Sequence, residues 1–487
     1  MRVSNAIEGL EPKLVWKYFA EISRIPRGSK NETAVAKYVL GVAMEFGLTA
    51  KQDRFGNVVA RKPASNGKEN VKSLCLQGHL DMVCEKNADK VHDFLKDPIE
   101  LVRKGNLLMA NGTTLGADNG IAVATNLAIM ADASLQHGPL EFLFTIDEET
   151  GLTGASNLQR DFLESKTLMN LDSEEEGALY VGCSGGRDTI GTWKLSLESV
   201  PAGSVGVLLS VKGLKGGHSG LEIDKARGNA IKIISRALTQ LYALGSRLAS
   251  INGGNKRNAI PRECDAELYI PKKNFSKAKA LVAELNTMFK AELSSAEPDL
   301  VVSVTERENK KKEKVISKAV QKKLCMTISS LPHGVLKMNA DIPGLVETST
   351  NVAVISTTNK AILLATSQRS SVASELTESV ETVSSIFQLG GAAVQNTDGY
   401  PGWKPDLNSK ILDVAKKTYK SLYGKEPLVK AIHAGLECGI IGERIPGMDM
   451  VSFGPTLEGV HSPDEKIYID TVERFWNFLL AILRNVN

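Results

Sequence analysis

His79 and Asp81 stand two residues apart at the end of a run, Ser73 to Leu80, that reads as a β-strand. Residues i and i+2 of a strand share a face. An imidazole placed there can bind a metal through one nitrogen while the carboxylate steadies the ring through the other. The chain has only seven histidines, so each one is informative. Acidic residues follow at three more strand or loop ends: Asp118 in the glycine-rich turn Gly112 to Gly120, Glu148 and Glu149 after the apolar run Leu140 to Ile146, and Asp172 after Thr167 to Leu171. Side chains just beyond the carboxyl ends of strands in an α/β sheet converge in one crevice, which is what a metal cluster needs. Adjacent Glu148 and Glu149 repel unless a cation or a proton compensates. One of them can then ligate while the other handles a proton. Each residue alone has a plainer reading: a solvated acidic loop, a helix cap at Asp118, the start of the acidic run Asp172 to Glu176. Together, in this order and context, they favour a site.

Such a site needs a scaffold. Up to about residue 185 the pattern alternates helix and strand. A helix from Leu14 to Ile25 stops at Pro26, a second is capped by Asn31 and stopped by Gly47, and a buried helix is expected from Asn119 to Ala133. Strand-like runs lie at Asn57 to Arg61, Ser73 to Leu80, Leu140 to Ile146 and Thr167 to Leu171. Alternation of this kind implies an α/β sheet covered by helices. Residues 187–395 read differently. Strand Val205 to Val211, helix Arg227 to Leu244, strand Cys264 to Ile270, helix Phe275 to Leu293 and strand Leu300 to Thr305 come close to a β-α-β-β-α-β unit. A weaker echo follows in helix Lys314 to Ile328, strands Asn351 to Ser356 and Ala361 to Ser367, and helix Ala373 to Phe387. The charged run Arg307 to Lys314 between them reads as a solvated loop. After about 396 the α/β character returns and ends in a helix that Asp470 and Glu473 would open with a capping box. The expected architecture is an α/β catalytic domain with a mixed, helix-covered sheet, residues 1–186 and 396–487, interrupted at 187–395 by an α+β, ferredoxin-like and doubled lid.

The motifs His79-Leu80-Asp81, Gly116-Ala117-Asp118-Asn119-Gly120, Asp147-Glu148-Glu149-Thr150-Gly151, Asn170-Leu171-Asp172-Ser173 and Gly459-Val460-His461-Ser462-Pro463 resemble those of the zinc aminoacylase, carboxypeptidase G and dipeptidase superfamily. Within it the sequence is most similar to the aminoacyl-histidine dipeptidases. The resemblance covers essentially the whole chain, and the ordered set of motifs is far more specific than any one of them. It implies a zinc-peptidase-type catalytic domain with two divalent metal ions. Asp118 bridges them, His79 and Asp172 complete one site, and Glu149 and His461 the other. It also implies a cis peptide at Asp118-Asn119. A donor set of nitrogen and oxygen without thiolate suits zinc, with manganese or cobalt able to substitute.

The implied chemistry is peptide hydrolysis by a metal-activated water, with Glu148 as general base and Asp81 steadying His79. Substrate contacts implied by the resemblance are His218 as a lid histidine facing the oxyanion, Asn258 and Arg369 for the terminal carboxylate, and Gly435 for close approach of substrate to backbone. Glu437 faces the polar end of a substrate or sits in a buried ion pair, and His433 reads as structural. Hinges near 186 and 396 would let the lid close. The oligomeric state stays open between a homodimer through the lid and a doubled lid that mimics the partner within one chain.

Composition narrows the classes. With 487 residues the chain is too long for one core, and 42% hydrophobic with 24% charged residues is ordinary for a globular protein. A net charge of +3 argues against nucleic-acid and membrane-surface partners. No apolar run reaches the length of a bilayer span, the N-terminal residues lack a secretory pattern, and the six scattered cysteines read as reduced thiols. A cytoplasmic enzyme acting on a small peptide fits. The leading expectation is a dipeptidase cleaving Xaa-His substrates such as β-Ala-His. The alternatives are a broader aminoacylase, carboxypeptidase or tripeptidase on the same scaffold, a non-catalytic metal-binding relative, and a serine or cysteine hydrolase. The last lacks a G-x-S-x-G elbow.

Overall fold

The structure is a computed structural model that describes residues 5–308 and 313–486. The chain divides into two compact units, Met1–Gly182 with Pro405–Ala431 and Leu436–Asn487, and Cys183–Lys404 with Ile432–Gly435. The divisions expected at 186/187 and 395/396 compare with 182/183 and 404/405, and the short return at 432–435 had no counterpart in the sequence reading.

The first unit is built on an eight-stranded sheet in the order Thr49–Gln52, Val58–Lys62, Leu140–Thr145, Leu74–His79, Thr167–Asn170, Asp449–Ser452, Ala178–Cys183, Leu428–Ile432. Its centre is parallel: Leu74–His79 runs alongside both Leu140–Thr145 and Thr167–Asn170, and Asp449–Ser452 runs parallel to Thr167–Asn170. The outer pairs are antiparallel, so the sheet is mixed. Strands Leu74–His79 and Leu140–Thr145 are buried along their whole length, as expected of strands covered on both faces. Helix Ala117–Ala131 is almost entirely buried, and packs on Leu74–His79 and on helix Lys13–Ile22. Its close approach depends on Gly78. A Cβ there would lie 2.5 Å from Asn119 Oδ1 and 2.7 Å from Ala122 Cβ.

Two expected helix starts differ. The helix Thr33–Glu45 has no side-chain cap from Asn31. Glu32 occupies that end instead, and its carboxylate accepts from the amides of Lys30 and Asp147, each at 2.9 Å. Helix Ile469–Asn485 likewise lacks a capping box, because Asp470 accepts from Asn106 Nδ2 at 2.6 Å. At Asp470 a tertiary partner has taken the carboxylate from the local role.

The second unit carries a nine-stranded sheet. Its main path is Val301–Glu306, Ser204–Lys212, Cys264–Pro271, Arg247–Gly253, Val346–Thr357, Ala361–Ser370, Gly185–Lys194, Ala393–Asn396, with Gly334–Met338 beside Val346–Thr357. Helices Phe275–Glu292, Ala230–Ala243, Lys318–Ser330 and Ala373–Leu389 pack side by side over it. One continuous apolar core, from Trp193 to Ala392, lies between helices and sheet. The two halves of the sheet meet through the pairing of Gly253 with Ile355. In each half the strand that is last in the chain lies beside the first, and the third lies between the first and second. Strands Arg247–Gly253 and Gly185–Lys194 complete these halves and were not expected from the sequence.

The run Arg307 to Lys314 falls in part, at 309–312, outside the described residues. Its ends are ordered rather than a free loop: Arg307 pairs with Glu313 at 2.9 Å, and Lys314–Ile316 is a strand. The six cysteines are free, and Cys84 alone of them is exposed. Among the described residues no helix is long and apolar enough to cross a membrane.

Candidate active site

Five loops at one end of the first unit's sheet bring the expected side chains together. His79 ends its strand with a buried imidazole. Its Nε2 lies 3.1 Å from Asp118 Oδ1 and 3.5 Å from Asp172 Oδ1, and its Nδ1 lies 3.3 Å from Asp81 Oδ1. The other oxygen of Asp118 lies 3.2 Å from His461 Nε2, which in turn is 3.0 Å from Glu149 Oε2. Asp118 therefore offers one oxygen to each of two donor groups, His79–Asp118–Asp172 and Asp118–Glu149–His461, and within each group the ligand atoms all lie within 4.8 Å of one another. A third such grouping, His79–Glu148–Glu149, brings Glu148 to the same point.

Local structure explains why these side chains converge. Asp147, at φ 51°, turns the chain sharply after its strand, and its carboxylate accepts from the hydroxyls of Thr150 and Thr153. That turn opens the short helix Glu148–Gly151, whose first amides, of Glu148 and Glu149, donate to Asp81 at 3.0 and 3.2 Å. Ser29 Oγ donates to the same carboxylate at 2.8 Å. Asp81 thus holds the histidine of one donor group, the glutamate of the other, and Glu148 beside them. His461 sits at φ 61° on an exposed turn and its side chain reaches back to Asp118.

The loop bearing Asp118 is fixed by residues the sequence reading did not single out. Glu465 is buried, and its two oxygens accept from the amides of Leu115, Gly116, Ala117 and Asp118 at 2.7, 2.9, 2.7 and 3.3 Å. Arg27, also buried, donates to the carbonyls of Leu80 and Asp81 at 2.9 Å each and to that of Gly116. Asn119 accepts from the amide of His79 at 3.2 Å and donates to the carbonyl of Leu171 at 2.9 Å, tying together the loops that carry His79 and Asp172. The Asp118-Asn119 peptide is cis. The nearest sequence signals were Asn119 beside Asp118 and Glu465 four residues after His461. Arg27 left none.

The electrostatics are those of crowded acids. Burial alone would lower His79, but Asp172, Asp118 and Asp81 hold it well above the usual histidine range. Hydrogen bonds to Asp118 and Glu149 push His461 up to about 11. Burial works against Asp81, yet His79, the Glu148 amide and Ser29 pull it down to about 2. Burial, seconded by Glu437, Glu149 and Asp118 and opposed by His79, pushes Glu148 up to about 8. Burial and the neighbouring acids Asp118 and Glu148 raise Asp172, against His79. The donor set fits divalent cations. Glu149 Oε1 is buried with no hydrogen-bond partner, and the nearest polar groups to His79 Nε2 are carboxylate oxygens. Nitrogen and oxygen donors in this arrangement suit zinc.

Glu437 differs from the buried ion pair that was one of its two expected places. It is fully buried, accepts from Gln77 Nε2 and Thr145 Oγ1 at 2.6 Å each, and among the described residues has no cation within ion-pair distance. Burial pushes it up to about 7, against His79. Its place is in a polar network under the site that continues through Gln77 to Asn170 and Ser452.

The remaining expected residues belong to the second unit. His218 and Asn258 are neighbours there. His218 pairs with Ala259 across a short ladder, and the Ser219 amide donates to the Asn258 carbonyl at 2.9 Å. His218 Nδ1 accepts from the amides of Gly220 and Leu221 at 3.1 Å each, so the ring proton resides on Nε2. Burial and then Arg369 lower this histidine, which keeps it a neutral donor. Asn258 and Arg369 line one cavity of about 260 Å³, with Asp188, Arg257, Ser367 and Tyr400. His433 is buried with Nε2 2.7 Å from Ser349 Oγ, and burial lowers it to about 3. Gly435 lies against the Tyr400 ring, where a Cβ would come within 2.9 Å.

The sequence model of Peptidase family M20/M25/M40 matches residues 75–485. The cytosol non-specific dipeptidase of Escherichia coli is 42% identical over 483 residues, 99% of each chain. The crystal structure of an aminoacylhistidine dipeptidase from Vibrio alginolyticus superposes with a TM-score of 0.92 at 42% identity, covering 99% of this chain and 98% of that one. Aminopeptidase PepT from Bacillus cereus shares the fold at 16% identity, with a TM-score of 0.57 over 98% of this chain and 99% of its own.

Proposed function

The chain belongs to peptidase family M20/M25/M40 and is a metallopeptidase; from that premise we propose that it cleaves dipeptides, Xaa-His substrates such as β-Ala-His among them, in the cytoplasm. The observation that carries this reading is the pair of donor groups sharing Asp118, with Glu148 half-buried beside them. The two relatives with 42% identity are both dipeptidases by name, one called non-specific and the other aminoacylhistidine.

His79, Asp118 and Asp172 would hold one cation, and Asp118, Glu149 and His461 the other. When bound, the two ions lower the pKa of water and polarise the scissile carbonyl. Glu148 takes a proton from the attacking water and returns it to the leaving amine. Its elevated pKa suits a group that must both accept and release a proton near neutrality. Asp81 keeps the His79 proton on Nδ1, which leaves the Nε2 lone pair for a ligand bond. His218, a neutral donor through Nε2, is read as stabilising the oxyanion. Arg369 is read as binding the free carboxylate with Asn258. It is buried, and among the described residues no acid lies within ion-pair distance of it, a costly state unless an anion binds. Gly435 admits the substrate to the backbone.

The second unit is read as a doubled ferredoxin-like lid, supported by the strand order of its two halves, and as the surface through which a homodimer forms. The test is turnover of the zinc-loaded enzyme against dipeptides with and without C-terminal histidine, tripeptides and N-acyl amino acids. Cleavage of dipeptides, lost on chelation and restored by zinc, is expected. Activity confined to tripeptides or N-acyl amino acids would replace this reading with the broader scaffold function.

A further inference from the structure

Arg369, Gly186 and Tyr400 stand in a row across three neighbouring segments of the second unit. Arg369 is the register partner of Gly186 on the adjacent strand. On the other side of Gly186, Tyr400 is fixed by two backbone hydrogen bonds to it, at 3.0 and 2.9 Å. Gly186 has no side chain, so the tyrosine ring crosses over it. A Cβ at Gly186 would lie 2.7 Å from Tyr400 Oη and 2.8 Å from Cζ. The hydroxyl then accepts from Arg369 Nη1 at 2.8 Å. The far edge of the same ring rests on Gly435. One half-buried tyrosine therefore touches two of the residues read as substrate contacts.

The cavity beside this row is rich in cationic groups. Asp188, the acid in its wall, is already paired with Arg257 at 3.1 Å. That leaves the buried guanidinium of Arg369 with Tyr400 as its hydrogen-bond partner, and a long flexible side chain held by a single neutral acceptor keeps its remaining N–H groups directed elsewhere. We infer that Tyr400 is a positioning residue. It locks the Arg369 guanidinium in the orientation that receives a peptide's free carboxylate, and so sets the preference for free-acid over C-terminally amidated dipeptides. This inference rests on the reading of Arg369 as the carboxylate-binding residue.

The test uses the full-length, zinc-loaded protein and one dipeptide offered as free acid and as C-terminal amide. Tyr400→Phe keeps the ring and its packing on Gly186 and Gly435 and removes only the hydroxyl. Losing one hydrogen bond to a charged group should raise KM for the free acid by about tenfold, with kcat nearly unchanged and amide kinetics unaffected. Gly186→Ala, which displaces the ring, should give the same loss of preference, and Tyr400→Phe should add nothing in an Arg369→Ala background. An unchanged acid-to-amide ratio in Tyr400→Phe, or equal losses on both substrates, overturns the inference. The two layers separate cleanly. If Arg369→Ala retains the full preference for the free acid, the reading of Arg369 fails and Tyr400 falls with it. If Arg369→Ala abolishes the preference while Tyr400→Phe preserves it, only the role of Tyr400 is lost.

Discussion

Replacing Glu465 by glutamine tests how Asp118, shared by the two donor groups, is held in place. The carboxylate accepts four backbone amides, two on each oxygen, from the residues leading into and including Asp118. Glutamine keeps one oxygen and turns the other into a donor, so two amides lose their acceptor and face an NH₂ group instead. A hydrogen bond to a charged group contributes about 1.5–3 kcal/mol, so the gross loss is about 3–6 kcal/mol. Some of that is returned. Burial, with Asp118 assisting, raises the Glu465 pKa despite the amide hydrogen bonds, so its charge is held at a cost that the neutral amide avoids. Arg27 works the other way, since its buried guanidinium loses an opposing charge. A net destabilisation near the lower end, about 3 kcal/mol, follows. Because the displaced loop carries Asp118, both donor groups should loosen together. The assay is urea unfolding of the zinc-saturated protein alongside competition for zinc with a chelator. Glu465→Gln should unfold at lower urea and release zinc at markedly lower chelator concentration. Wild-type stability together with wild-type zinc retention would refute the claim that this carboxylate organises the loop.

Glu148→Gln should lose about 10²–10⁴-fold in kcat, the usual worth of a general base, while metal analysis finds the same zinc content as wild type; near-normal turnover would remove Glu148 from its role. Chelation should abolish activity and lower Tm, because a ligand bound at a hundredfold over its Kd stabilises by about 2.7 kcal/mol, and zinc should restore both. Gly78→Ala should cost about 1–3 kcal/mol through overpacking against Asn119 and Ala122, whereas Gly41→Ala, in open space within helix Thr33–Glu45, should stabilise by about 0.5–1 kcal/mol; paired thermal melts check the contrast. His433 is neutral and buried in the fold, with its pKa lowered to about 3, so its contribution is intact above the unfolded value and is lost as pH falls from about 6.5 towards 3. The difference in stability between wild type and His433→Gln should shrink by about 1.4 kcal/mol per pH unit in that window, and parallel stability–pH curves would count against it.

How far the sequence carried the site depended on where each residue's partner lies. His79, Asp81, Glu148, Glu149 and Asp172 stand at the ends of strands with strong apolar patterns, and the convergence of strand ends made them legible. His461 has no such signal. It sits on an exposed turn at φ 61°, and only the resemblance of its surrounding motif singled it out. Arg27, Asn119 and Glu465 act on backbone groups far away in sequence, such as Glu465 on Leu115, and no local pattern encodes that. The same reason undid the expected cap at Asp470, whose carboxylate bonds to distant Asn106. In the second unit the unforeseen strand Gly185–Lys194 holds three glycines and two charged residues before its final lysine, and Arg247–Gly253 is nearly as polar. Both lie within a sheet whose long-range pairing overrides weak intrinsic preference.

The site's electrostatics tie these pieces into one requirement. Asp118, Glu148, Glu149 and Asp172 converge on two histidines, with Glu174 close enough to be pushed up to about 7 by burial and then by Asp118. The fold brings more acid than base to this point and can relieve the repulsion only by holding protons: on His79, on His461 near 11, on Glu148 near 8. Two divalent cations supply the same compensation with more charge and without occupying the base. Glu437, pushed up to about 7 by burial, adds a polar support beneath the sheet end that accepts from Gln77 and Thr145. The division of labour among the acids then follows from their surroundings. Those facing the Nε2 of His79 or His461 across about 3 Å are placed to share a cation, a distance range set by ligand bonds of about 2 Å on each side, whereas Asp81 faces the other nitrogen of His79. Glu148, which faces both donor groups and whose pKa is driven up to about 8, is the acid we propose carries the proton.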